Sequence, residues 1–187
     1  MHSTKWLSII LVLLCFVLLV GNRLGASFAG GTPVHEHETV TTPGGRAYER
    51  GEIVFWQDTD QFQIGSTTVF LDENTEVKIV NSIPGEETIN VIQGRVVVKG
   101  DVTIEVRELD FQVSGTTSFV HYSWLNEIDV MNIDGSVAID IDGAQETVEP
   151  NTSAHLSTLP PYELTKTTLD LNTSYAAAFY ERVLLAE

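Results

Sequence analysis

"FQVSGTTSFV", Phe111 to Val120, echoes "FQIGSTTVFL", Phe62 to Leu71. Each copy has Phe-Gln, a β-branched residue, a glycine, two threonines and a later phenylalanine. A second shared pattern follows each copy: "INVIQGRVVVKG" at 89–100 and "IDVMNIDGSVAIDIDG" at 128–143. Both read aliphatic-polar-valine, then a glycine turn, then alternating β-branched residues. Such residues are stiff at χ1 and suit a pleated, half-buried surface. The repeating unit is therefore a group of strands, and repeated strand groups predict stacked coils, each covering its neighbour's apolar face. On this reading Phe62, Ile64, Phe111 and Val113 face inward on two equivalent strands. Gly65 and Gly115 permit a bend or bulge.

The same texture extends outward. "EIVFW" (52–56), "TEVKIV" (75–80), "DVTIEVRE" (101–108) and "ETVEP" (146–150) are short runs separated by Gly, Asp, Asn or Pro. No helical period competes before about Asn172. The expected fold class is all-β with many short strands, for which a sandwich, a barrel or a β-solenoid would fit. The tail differs. "STLPPYELTKTTLDLN" (157–172) is a proline-marked exit, and "TSYAAAFYERVLLAE" spaces Tyr175, Ala178, Phe179 and Val183 near helical period. A terminal helix is expected there, capped by Asn172, Thr173 or Ser174 and docked on the β domain as a lid.

The chain has 187 residues and a formal net charge of −16. Lys5 and Arg23 lie in a leader without Asp or Glu, so the 26 acidic residues of the remainder face only eight bases. Such a body repels phosphate backbones, which speaks against nucleic acid as a partner. Cys15, in the leader, is the single cysteine, so the body holds no disulfide framework or thiolate metal site. The leader has a cationic start and an apolar run from Trp6 to Val20, then "ASFAG". This predicts either a signal peptide cleaved after Ala29 or an uncleaved single-pass anchor, and both place the body outside the cytoplasm. The expected organisation is leader 1–29, flexible linker 30–51, β domain 52–160 and C-terminal extension with helix 161–187. His35 and His37 of "HEHE" fall in the linker, with no third metal ligand suggested by spacing.

The order of these elements resembles the FecR domain family. Gly94, Val96 and Val98 match its glycine-marked "G-x-V-x-V" element. Phe111, Val113, Gly115, Thr116, Phe119 and Val120 match the segment that follows, and Val130, Gly135 and Val137 match the last. The resemblance covers roughly residues 51–150. It implies a FecR-like β-solenoid or twisted β-stack, extracytoplasmic, making protein contacts. Signalling members carry a cytoplasmic sigma-binding segment before the membrane span. Here Met1 to Lys5 precede the apolar run, so the expectation is a stand-alone exported FecR-like domain.

Catalytic motifs do not emerge. There is no Gly-x-Ser-x-Gly elbow, no HExxH and no phosphate loop leading into a helix. Asp140, Asp142 and Glu146 suggest a calcium loop only in fragments, and aspartates before glycine read as β-turns. His121 and His155 read as structural. No catalytic residue, cofactor or metal ligand is assigned. Three aromatics stand out as partner-binding candidates: Trp56 in the first strand, and Tyr122 with Trp124 in "HYSWL". The expected function is a non-catalytic extracytoplasmic interaction or signalling module of a bacterial cell envelope, with an envelope protein or surface polymer as partner. The alternatives are a secreted carbohydrate-active enzyme or carbohydrate-binding protein on a β scaffold, and a structural cell-surface protein.

Overall fold

A computed structural model describes residues 39–42, 47–171 and 179–183. Strands β1 (Thr39–Thr41) and β2 (Ala47–Glu49) pair antiparallel. Ten more strands make one antiparallel sheet: β3 (Ile53–Trp56), β4 (Asp60–Ile64), β5 (Thr67–Leu71), β6 (Thr75–Asn81), β7 (Thr88–Val106), β8 (Leu109–Tyr122), β9 (Glu127–Ile141), β10 (Ala144–Val148), β11 (Thr152–Ser157) and β12 (Leu164–Thr168). The backbone order is β12-β11-β9-β8-β7-β5-β4. β10 lies against the later part of β9, and β6, carrying β3, lies against the earlier part of β7. Helix α1 is described over residues 179–183.

The three central strands do not run straight. At about 3.3 Å per residue, the 14 residues of β8 would span roughly 46 Å. Yet Arg107, just before β8, donates from Nη2 to Oδ1 of Asn126, just beyond it. Likewise the Thr103 amide, well inside β7, donates to the carbonyl of Glu87, which precedes the strand, at 2.9 Å. Both strands must double back. They do so at glycines with positive φ: Gly94 and Gly100 in β7, Gly115 in β8 and Gly135 in β9. Gly100, Gly115 and Gly135 are direct cross-strand partners, so one fold line crosses all three strands. A side chain could not stand on this line. A Cβ on Gly135 would sit 1.8 Å from the Ser114 carbonyl oxygen, and one on Gly115 2.6 Å from that of Asp134. An extra residue, Ile133, bulges from β9 beside the line, increasing the local twist.

Folding over wraps the sheet around one core. Ile89 and Val91, Val96 and Val98, and Ile104 and Val106 lie in successive sections of β7, and all join the same buried cluster. Phe111 and Phe119, from either side of the Gly115 bend, meet edge to face at 5.1 Å. The stacked coils expected from the repeat are not what forms: every described pairing is antiparallel, with no closed barrel or solenoid. The two copies of the repeat are not equivalent strands either. Phe62–Leu71 is a hairpin, β4 to β5, turning on Gly65-Ser66. Phe111–Val120 lies within the single bent strand β8. The expected inward residues Phe62, Ile64, Phe111 and Val113 are all buried.

Two boundaries also move. β1 and β2 lie inside the expected linker, and their Val40 and Tyr48 are built into the core, because two apolar residues suffice to dock a short hairpin arm. β12 lies in the expected C-terminal extension and pairs with β11. The leader, "HEHE", Tyr175, Ala178 and the candidate caps lie outside the described residues.

The sheet's middle section is covered on its outer face too. Val97 points away from Val96 and Val98, and is just as buried because Phe179 and Val183 of α1 pack on it beside Phe70. Val120 and Met131 continue this outer patch, flanked by Tyr122, Ile133, Leu169 and Tyr180. The expected terminal helix is present in its described part, and it covers a sheet face.

Candidate functional site

A groove of about 630 Å³ opens beside the Gly94 bend. One wall is the β5–β6 turn with Glu73 and Asn74. The floor is β7 at Gln93 to Arg95, and the other wall is the end of β8 with His121 and Tyr122 and the turn beyond it with Trp124. The turn forms because Asn74 takes φ +60°, which Asn tolerates better than most residues. Thr75 then locks the bend: its Oγ1 accepts from the Arg95 amide and donates to the Arg95 carbonyl, both at 3.1 Å. The Asp72 amide donates to the same carbonyl at 3.0 Å.

The opposite wall is the β8–β9 turn, residues 123–126, and it is braced from several directions. The Leu125 amide donates to the Tyr122 carbonyl at 3.0 Å, and the Thr158 amide to that of Asn126 at 2.8 Å. Ser123 Oγ donates to Gln93 Oε1 at 3.3 Å. This braced turn holds Trp124 78% exposed, with Leu125 beside it and Leu159 next to the bracing Thr158, both more than two-fifths exposed. Tryptophan is a highly buried residue on average, so an apolar cluster held outward by a braced turn has the character of a contact surface.

Charge and protonation are set by burial. Asp72 is fully buried and pairs with Arg95 of β7 and with Arg182 of α1, whose Nη2 lies 2.9 and 3.0 Å from the two carboxylate oxygens. Both guanidinium groups flank the Phe179 ring, at 6.0 Å for Arg95 and 5.4 Å for Arg182. His121 is buried, with Nδ1 2.8 Å from the Val91 carbonyl oxygen. A carbonyl can only accept, so Nδ1 carries the proton and Nε2 is a bare acceptor, which has no hydrogen-bond partner among the described residues. Burial lowers the His121 pKa below 6.5, and the Arg107 charge lowers it further against backbone hydrogen bonds that oppose the shift.

Of the three aromatic candidates, the structure brings two together. Tyr122 and Trp124 line the groove, although Trp124 sits on the turn rather than on a strand. Trp56 does not join them. It is 7% exposed, edge to face with Tyr48 at 5.3 Å and stacked with Phe62 at 6.5 Å, so its ring packs in the core. The Asp140–Gly143 stretch is a turn in which Asp140 Oδ1 accepts from the Gly143 amide at 2.9 Å. His155 pairs through Nδ1 with Asp129 at 2.7 Å on the surface. Among the described residues no group of three or more His, Cys, Asp or Glu is placed to hold a metal ion. Sequence reasoning passed over Asp72, Arg95 and Arg182. Their only signal was the unbroken Val96-Val97-Val98 run, which marks a strand buried on both faces.

The chain matches no protein-family model and no curated protein. Its fold is similar to two crystal structures of a "putative anti-sigma factor" from Parabacteroides distasonis, each with TM-score 0.54 at 15% identity. The likeness covers 64% of this chain and 60% of that one, and it is a likeness of fold.

Proposed function

We propose that this chain is a non-catalytic, extracytoplasmic FecR-like module that engages another envelope protein through the Trp124 turn and groove. The observation that carries the reading is the braced turn holding Trp124, Leu125 and the neighbouring Leu159 outward. Rigid aromatics cost little conformational entropy on binding and commonly anchor protein interfaces. The fold likeness to a protein described as an anti-sigma factor is in keeping with a signalling role. The acidic body favours a neutral or basic partner surface.

A carbohydrate partner is the second reading, favoured by the amides of Asn74 and Gln93 beside Tyr122 and Trp124. Photo-crosslinking in intact cells separates the two. A photoreactive residue replaces Trp124 in one full-length variant and the exposed Ile53, on β3, in another. The proposal expects a discrete protein adduct at 124 and none at 53. An adduct removed by glycan digestion would transfer the groove to the carbohydrate reading, and equal yields at both positions would refute a specific site.

A further inference from the structure

The outer face of the sheet's middle section is built like a socket for one turn of amphipathic helix. Its floor is Phe70, Val97, Val120 and Met131, and at its edge lies the buried carboxylate of Asp72. The chain's own α1 fills it with Phe179, Arg182 and Val183, the i, i+3 and i+4 positions that share one helix face, and with Tyr180, which packs against Val120 and Met131.

The charge arrangement makes this contact separable. Asp72 has two guanidinium partners, and they differ. The Arg95 side chain is 12% exposed and belongs to the sheet, whereas that of Arg182 is 51% exposed and reaches over from outside. Withdrawing α1 removes the outer partner and leaves Asp72 paired with Arg95. No unpaired buried charge appears, which is the outcome that makes breaking such pairs costly. Isolated short helices are marginal in water, so a terminal helical segment owes much of its stability to what it docks on. Once vacated, the apolar floor and the carboxylate would accept any helix of the same chemistry.

We propose that this face is a helix-docking socket, that the C-terminal helix is its releasable plug, and that the occupant competing for it is a partner helix. That helix carries an aromatic residue, an arginine three positions on and an aliphatic residue four positions on. The socket adjoins the Trp124 groove through Arg95, Val120 and Tyr122, but the proposal does not depend on Trp124 having a partner.

The test uses a fluorescent peptide of residues 172–187 as the probe, titrated into two full-length proteins. One is wild type. The other carries Phe179→Ser, Tyr180→Ser, Arg182→Ser and Val183→Ser, which empty the socket. In wild type the tethered plug competes at an effective concentration on the order of mM, so the peptide binds the emptied protein at least about tenfold more tightly. Arg182→Glu in the peptide abolishes that binding by setting two carboxylates together. Equal affinity for both proteins overturns the proposal, as does no binding to an emptied protein that still melts cooperatively. Should the emptied protein not fold, chymotrypsin cleavage after Tyr180 in wild type decides. A releasable plug is cut while the sheet stays intact and is cut faster with excess peptide. A plug cut only as fast as the whole domain unfolds is structural, and the proposal fails.

Discussion

Phe62–Leu71 and Phe111–Val120 share five of ten letters, and at their centre glycine and serine change places: Gly65-Ser66 in the first, Ser114-Gly115 in the second. The order decides the local fold. In the first copy positive φ falls on the residue directly after Ile64, and Ser66 is not left-handed. Glycine at the first central position of a two-residue loop is the type II′ arrangement, whose twist suits a hairpin. In the second copy the glycine comes one residue later and meets Gly100 and Gly135 across the sheet. There it bends a strand that continues. A glycine facing the end of a side chain makes a turn locally, while a glycine among other glycines makes a fold line shared by three strands.

The largest expected effect follows from this contrast. Gly135→Ala places a Cβ 1.8 Å from the Ser114 carbonyl oxygen at φ +79°, and Gly115→Ala places one 2.9 Å from the Gly135 Cα at φ +103°. Both obstacles are backbone and cannot swing away. Either variant loses about 4 kcal/mol or more, or fails to fold, in urea unfolding followed by circular dichroism. Gly65→Ala also meets a neighbour, at 1.9 Å, but that neighbour is the Glu87 carboxylate at the end of a flexible side chain. It costs about 1–2 kcal/mol, from the left-handed φ and the disturbed Glu87 contact to the Gly85 amide. Equal losses at 65 and 135 would mean that the fold line is not the special element.

How much of this was legible in the sequence also turns on the glycines. Alternation identified the strands, because period two depends only on local burial. Phe62, Ile64, Phe111 and Val113 were placed on the correct face for that reason. The doubling back of β7, β8 and β9 was not legible, since a bend and a turn both spell as glycine between β-branched residues. Only the cross-strand register of Gly100, Gly115 and Gly135 tells them apart. At the groove, "HYSWL" pointed to Tyr122 and Trp124, whereas Asp72 read as one more acid in a turn, "LDEN". Its two arginines lie 23 and 110 positions away in sequence, and no local pattern links them.

The groove sharpens the comparison through His121, beside the Gly94 bend, where no glycine partner is available across the sheet. Its folded pKa lies below the 6.5 of the exposed imidazole. Between those two values the unfolded chain binds a proton that the folded chain does not. Stability contributed by the neutral ring is therefore full above about pH 6.5 and falls as acid is added, by up to about 1.4 kcal/mol per pH unit. His121→Gln retains an amide donor for the Val91 carbonyl and removes the titration. Urea midpoints of wild type should drop more than those of the variant between pH 7 and 5.5. Parallel curves would assign the acid sensitivity to the many carboxylates instead.

The smallest effect on stability, and the largest expected on recognition, belongs to Trp124. The two tryptophans of the β domain have opposite fates. Trp56→Ala removes a ring packed between Tyr48 and Phe62 and costs about 3–5 kcal/mol, as buried aromatic truncations do. Trp124→Ala removes a ring 78% exposed from a turn whose braces are backbone amides and the side chains of its neighbours, so stability changes by less than about 0.5 kcal/mol. Trp124 itself makes none of these braces: Ser123 bonds to Gln93, and Asn126 to Arg107 and Thr158, so the turn keeps its shape when the ring is removed. Thermal melts of the two variants, each beside wild type, test this directly. If Trp124→Ala melts as early as Trp56→Ala, the exposed ring is a packing element after all, and the case for a partner surface at this turn is lost.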